Sequence, residues 1–299
     1  MNFSILLKIC EIQLTNYNLN YSLLIFPMIN DSWQQLQQIT TISQADIPLF
    51  FSILFMYTIY RFIMTKLILP FLAKQLEIKQ PYKFINRAFD MTHYISSSLL
   101  GLTAILQRPY GHCFFYSMNC RDYYWQTPDG FQVTVLEKIY YLLFLTYYIV
   151  DFFFLGSTTQ PNMFRMHHIL TANEIIVCII LKAPVTGLTI MVLHDVSDWP
   201  LYTGKVLLYC GLKYIKDFVF LLFPLGWAYF RLFNFPIVVY NVIQVGIDTE
   251  IHPYLYKFEE VFLVILYVMH CIWAYQIGTN IYEIIIGKPI HDNRSDDSE

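Results

Sequence analysis

Two adjacent histidines, His167 and His168, and a glutamate, Glu174, stand together in "FRMHHILTANE", inside a chain that is otherwise apolar. After a further twenty-five residues "HDVSD" adds His194, Asp195 and Asp198. Histidine titrates near neutrality and can act as base, acid or nucleophile. A neighbouring aspartate orients an imidazole and stabilises its protonated form. That set of groups suits acyl transfer, including transfer through an acyl-imidazole. His167, Thr171 and Glu174 are spaced i, i+4, i+7 and share one helix face. His194 and Asp198 are spaced i, i+4, and Lys205 and Tyr209 continue roughly the same stripe beyond Pro200, which is expected to kink the helix. Each feature also has a bland reading. Adjacent histidines occur by chance at helix ends, "HDVSD" can be a helix cap or an ion-pair anchor, and Glu174 can be a protonated helix residue. Eight histidines with one HH pair are too few for the repeated histidine boxes of a diiron membrane site, and the six cysteines lack metal-type spacing. No metal or haem is therefore assigned.

These residues need elements to hold them, and composition says which kind. The 299 residues are 56% hydrophobic and 14% charged, against about a quarter charged in an ordinary soluble domain. The 24 Tyr and 25 Phe form packing or lipid-facing stripes. The apolar runs are too long for barrel strands, so the expected class is an all-α polytopic membrane protein. Seven spans are expected, near Ile47–Leu72, Ala88–Leu106, Val133–Leu155, Phe164–Leu181, Val185–Cys210, Phe218–Tyr240 and Tyr256–Ile285. Residues 1–46 read as an amphipathic or interfacial segment, 47–285 as the membrane domain and 286–299 as an acidic tail. "MNFSILLKIC" makes a poor signal peptide. Sequons at Asn2, Asn20 and Asn30 matter only if that end is luminal. A net charge of −3 without a basic stripe argues against nucleic acid.

Charge in the connections orients the spans. Lys74, Lys79, Lys83, Arg87, Arg165, Lys213, Lys216, Lys288 and Arg294 fall on one side, and Arg108, Arg121 and Lys182 on the other. Nine against three places the N-terminus in the lumen and the C-terminus in the cytosol, with His167 and His168 near the cytosolic end of span four. Cys113 and Cys120 share a luminal loop, where a disulfide and two free thiols are both open.

The combination is more specific than its parts. "HH", twenty-five residues, "HDVSD", then Leu201, Lys205 and Tyr209 resemble the Lag1 motif of ceramide synthases, within the TRAM–LAG1–CLN8 (TLC) domain family. Thr171 and Gly187 fall where that motif has Thr and Gly. "KFINRAFDMTHY", "YYLLFLTYYIVDFF" and "WAYFRLFNFP", with Trp227, Arg231 and Pro236, are similar to flanking segments of the family, and the resemblance covers about residues 47–299. Departures stand at Ala183 and Val185, at Gln160-Pro161, at Glu174 and Lys182, and at Pro200 and Tyr202.

The resemblance implies six of about seven helices forming a TLC-type barrel around an interior polar cavity, in the endoplasmic-reticulum membrane. It implies transfer of an acyl group from a fatty acyl-CoA to the amine of a sphingoid base, with acyl-CoA as co-substrate and no bound cofactor. Carried over by position, His167 and His168 would be the catalytic pair, Asp195 and Asp198 would orient and polarise them, and His194 would support them. Thr171, Glu174, Gly187, Lys205, Tyr209, Trp227 and Arg231 would line or brace the substrate site. The partners implied are membrane lipids, with a homodimer or larger membrane complex open. The contrasting expectation is a non-catalytic lipid-binding TLC protein serving as an accessory subunit of a large complex, in the mitochondrial inner membrane.

Overall fold

The computed structural model describes residues 31–124, 132–154, 161–248 and 253–286; the sequons and the acidic tail lie outside the described residues. Strand β1 (Ile39–Thr41) pairs antiparallel with β2 (Gln132–Thr134), Ile39 opposite Thr134. The helices are α1 (Ile47–Ile63), α2 (Leu69–Gln75), α3 (Pro81–Ile105), α4 (Val135–Phe152), α5 (Pro161–Ile180), α6 (Pro184–Tyr209), α7 (Lys213–Trp227), α8 (Phe235–Asp248) and α9 (Pro253–Ile285).

Two pairs of helices are really single rods. Met64–Ile68 joins α1 to α2, and Ala228–Asn234 joins α7 to α8, each as a stretch of π-helix. Pro70 and Pro236 explain both stretches. A proline has no amide hydrogen for the carbonyl four residues earlier, so the turn before it widens. The described residues thus form seven rods, one for each expected span. Pro200 sits inside α6, which continues to Tyr209.

Three of the turns between rods share one hydrogen-bond pattern. Ile78 N donates to Ala73 O (2.9 Å), Ala183 N to Cys178 O (2.9 Å) and Leu212 N to Leu207 O (3.0 Å). In each turn the preceding residue adopts positive φ: Glu77 at 50°, Lys182 at 58° and Gly211 at 75°. This is the Schellman closure, which satisfies carbonyls left open at a helix end. Helix α4 starts on a capping box: Glu137 N donates to Thr134 Oγ1 (3.1 Å) and Thr134 N to Glu137 Oε2 (2.5 Å). Glu137 is fully buried and also takes an ion pair from Arg108 (3.0 Å) and a hydrogen bond from Tyr110. Lys138 pairs with Asp46 (2.9 Å), so the segment preceding α1 is tied to the head of α4. In the connection after α3, Cys113 and Cys120 form a disulfide, which decides between the two states left open above.

Four of the seven rods are long and apolar enough to cross a membrane, rather than all seven: 44–75, 162–180, 214–247 and 254–283. The other three, α3, α4 and α6, carry Asp90, Glu137, Lys138, Asp151, Asp195 and Lys205 as buried charged residues. Polar side chains lower the apolarity of these three, and packing covers them: α6 runs against α3 and α7, and α4 against α1, α3 and α5. The rod of α1 and α2 presents Phe51, Phe55, Phe62 and Phe71 outward. Apolar helices facing out and polar residues facing in are what a bilayer solvent demands.

Candidate functional site

All seven rods contribute to one cavity of about 440 Å³. It lies where the start of α3, the end of α4, the start of α5 and the second half of α6 meet. His167, His168, Asp198, Lys205, Trp227 and Arg231 line it, together with Arg61, Lys66, Arg87, Asp90 and Asp151. Six of the residues singled out from sequence therefore share one wall.

His168 is held at both ring nitrogens. Nδ1 lies 2.9 Å from the carbonyl oxygen of Phe164, one turn earlier on α5, and Nε2 lies 3.1 Å from Asp151 Oδ2 on α4. Arg61 Nη1 donates to the other oxygen of Asp151 at 2.7 Å. A carbonyl and a carboxylate only accept, so with both bonds made His168 carries both ring protons. The charges then alternate as Arg61⁺, Asp151⁻, His168⁺. Arg61 is further sandwiched between Phe89 and Phe154, 4.7 and 4.0 Å from the ring centroids.

His167 stands next to His168 on the same wall. Its ring stands 5.8 Å from His168, 6.0 Å from His194 and 5.2 Å from Trp273. Behind it, Arg231 acts as a hub within the second π stretch. Its Nη2 donates to Asp198 Oδ2 (2.7 Å) and His194 O (3.1 Å), its Nε to Ser197 Oγ (2.7 Å), and its Nη1 to His270 Nε2 (3.0 Å). Because arginine can only donate, His270 accepts at Nε2 and is the neutral Nδ1–H tautomer. Widening the helix at 228–234 accompanies the approach of Arg231 to α6 and α9, a use of π-helix that recurs at functional sites.

Asp195 accepts from Ser97 Oγ (2.5 Å) and Tyr140 (2.8 Å), and Asp198 pairs with Arg231. Asp151, on α4, is a carboxylate brought to a histidine ring nitrogen, that of His168. His194 is turned away from "HDVSD": its Nδ1 bonds Ile190 O at 2.7 Å, one turn back on α6. Glu174 shares the buried face with His167 and Thr171, yet its carboxylate reaches Cys178. Gly187 serves packing, since a methyl there would overlap the Tyr141 hydroxyl. Tyr209 is half-buried and does not line the cavity. Asp151, Arg61 and His270 were not singled out from sequence. Another missed residue is His93, which is stacked on Tyr147 at 3.6 Å with Tyr57 at its Nδ1 (3.2 Å). The signal that could have found them is an ionisable residue inside an apolar run, applied to every span.

Apolar helices, four of them able to cross a membrane, packed around paired histidines and buried ion pairs define an all-α membrane protein with a buried polar cavity. Residues 83–278 match the TLC domain, and the chain belongs to the TLC domain family. It is similar to ceramide synthase LOH1 of Arabidopsis thaliana, 30% identical over 232 residues that cover 72% of this chain and 73% of the relative. It is also similar to sphingosine N-acyltransferase lag1 of Schizosaccharomyces pombe, 27% identical over 231 residues covering 72% and 57%. Ceramide synthase 3 of Homo sapiens is 24% identical over 224 residues covering 73% and 56%.

Proposed function

We propose that this protein is a lipid N-acyltransferase of the ceramide synthase type, joining the acyl group of a fatty acyl-CoA to the amine of a sphingoid base. The observation that carries this reading is the shared cavity wall of His167 and His168, with Asp151 and Arg61 locking the second histidine. The names of the relatives supply the reaction class.

In this reading His168 works as a fixed positive charge, because both of its nitrogens are engaged, and His167 does the proton or acyl transfer. The amine nitrogen bonds to the thioester carbonyl carbon, the carbon–sulfur bond breaks, and coenzyme A leaves as the thiol. His167 takes the amine proton and returns it to the departing sulfur, or first accepts the acyl group as an acyl-imidazole. Asp198 and Arg231 brace the wall, with Trp227 beside them, while Lys66, Arg87 and Lys205 give the cavity the positive charge that a coenzyme phosphate needs. Asp195, bonded to Ser97 and Tyr140, fixes α6 against α3 and α4.

All seven rods are read as membrane spans, six of them as the barrel around the cavity, with the histidine end toward the cytosol and the endoplasmic reticulum as the compartment. The Cys113–Cys120 disulfide at the opposite end suits an oxidising lumen. The test is direct: purified protein and the His167→Ala/His168→Ala variant are given acyl-CoA and sphinganine, and ceramide is followed by mass spectrometry. Product from the unaltered chain alone supports the enzyme. No product from either, with lipid retained in the cavity, moves the assignment to the non-catalytic lipid-binding alternative.

A further inference from the structure

A second buried cluster lies outside the cavity, between α5 and α9. Glu174 and Cys178 are one turn apart on α5, and Glu259 faces them from the second turn of α9. Glu174 and Glu259 are each 1% exposed and Cys178 is fully buried. Cys178 Sγ stands 3.8 Å from Glu174 Oε1 and 3.7 Å from Glu259 Oε1, and one ligand atom from each residue fits within 4.8 Å. The second carboxylate oxygens, Glu174 Oε2 and Glu259 Oε2, are buried without a hydrogen-bond partner among the described residues. The hydroxyl of Tyr256 beside them is likewise buried without one.

At this buried point the donors beside the two carboxylates are the Cys178 thiol and the hydroxyls of Tyr141 and Tyr256. Buried carboxylates are retained when they are paired or coordinate a metal. A divalent ion would neutralise two carboxylates and bond all three side chains at once. Zinc bonds sulfur at about 2.3 Å and carboxylate oxygen at about 2.0 Å, so tetrahedral neighbours lie about 3.5 Å apart. The two sulfur–oxygen distances are close to that spacing. Oxygen with thiolate is a donor set for a borderline ion of the zinc type rather than for magnesium or calcium.

We propose that Glu174, Cys178 and Glu259 form a zinc-type site, with a fourth position open to water or the Tyr256 hydroxyl. Binding displaces the protons of the free site into solvent. The ion fastens α5, two turns past His167, to α9, which carries His270 and Trp273. This site is independent of acyl transfer.

The whole chain, purified without a histidine tag and stripped with chelator, is equilibrated with Co²⁺ or Zn²⁺. About one ion per chain is expected, with Co²⁺ giving intense four-coordinate visible bands and a near-ultraviolet thiolate-to-cobalt charge-transfer band that Zn²⁺ abolishes. Cys178→Ser should lose the charge-transfer band, and Glu259→Gln should weaken binding at least tenfold. His167→Ala and His112→Ala should leave both readouts unchanged. No stoichiometric ion, or cobalt bound without a charge-transfer band, would overturn the site in favour of a protonated carboxyl pair. Loss of the ion in His167→Ala with retention in Cys178→Ser would overturn it in favour of the histidines. The unaltered protein's spectrum decides even if a variant fails to fold.

Discussion

The carboxylate of Asp151 bridges Nε2 of His168, 3.1 Å away, to Arg61, 2.7 Å away, and so ties α1, α4 and α5 together at the cavity wall. Asp151→Asn keeps the shape but removes the charge between two cations. On the proposed reading acyl transfer falls at least tenfold, while His167→Ala, which removes the reacting imidazole, falls about 10²–10⁴-fold. Initial rates on purified variants check the order. Equal losses for the two variants would contradict the division of labour between His167 and His168.

Arg231 is 1% exposed and donates to partners on α6 and α9. Arg231→Ala strands Asp198 and the histidine wall, at a cost of about 3–5 kcal/mol, the usual range for removing one member of a buried pair. Arg231→Lys cannot restore it, since an ammonium lacks the planar fork that reaches Ser197, Asp198 and His270 together. Thermal unfolding in detergent, followed by tryptophan fluorescence, is expected to drop for both variants, further for alanine.

Much of this was legible in the sequence. The rods of α5 and α6 follow from apolar runs broken at Pro161 and Pro184, and the Gly211 turn is announced by its glycine. The turns at Glu77 and Lys182 have the same geometry without the glycine, so no local signal marks them. At the site, His167 and His168 were visible because they are adjacent and polar. Asp151 was hidden in "YYIVDFFF", and its partner Arg61 lies ninety residues earlier in the chain. Spacing along one helix does not say which side chains a carboxylate meets across the bundle. Asp195 shares a helix with His194, but its partners Ser97 and Tyr140 come from α3 and α4. Periodicity reports which face is buried and does not report what that face meets.

Lys182 is exposed at φ 58°, a conformation that costs an L-residue about 1–2 kcal/mol and glycine little. Lys182→Gly relieves that strain at some cost in unfolded-chain entropy, leaving a net gain of about 0.5–1 kcal/mol. The melting temperature should rise, and acyl transfer should be unchanged because the turn lies at the end of α5 away from the histidines. A fall in melting temperature would mean that the Lys182 side chain makes a contact worth more than the backbone strain.

The cysteines test the orientation. Cys210, half-buried in the α6–α7 turn, lies at the histidine end of the rods, and the Cys113–Cys120 disulfide at the other. In sealed microsomes a membrane-impermeant maleimide should label Cys210 from the cytosolic side. Cys113 and Cys120 should label only after permeabilisation and reduction. Burial raises the pKa of the Cys210 thiol above its ordinary value. At neutral pH its reactive thiolate is therefore scarcer than in a free cysteine, and the labelling rate should climb as pH rises from 7 to 9. Cys271 is exposed on the apolar face of α9 and serves as the internal contrast, reacting with a lipid-soluble maleimide and not with the impermeant one. Labelling of Cys210 only after permeabilisation would invert the orientation. The cavity's Lys66, Arg87 and Lys205 would then face the lumen, away from a cytosolic acyl-CoA.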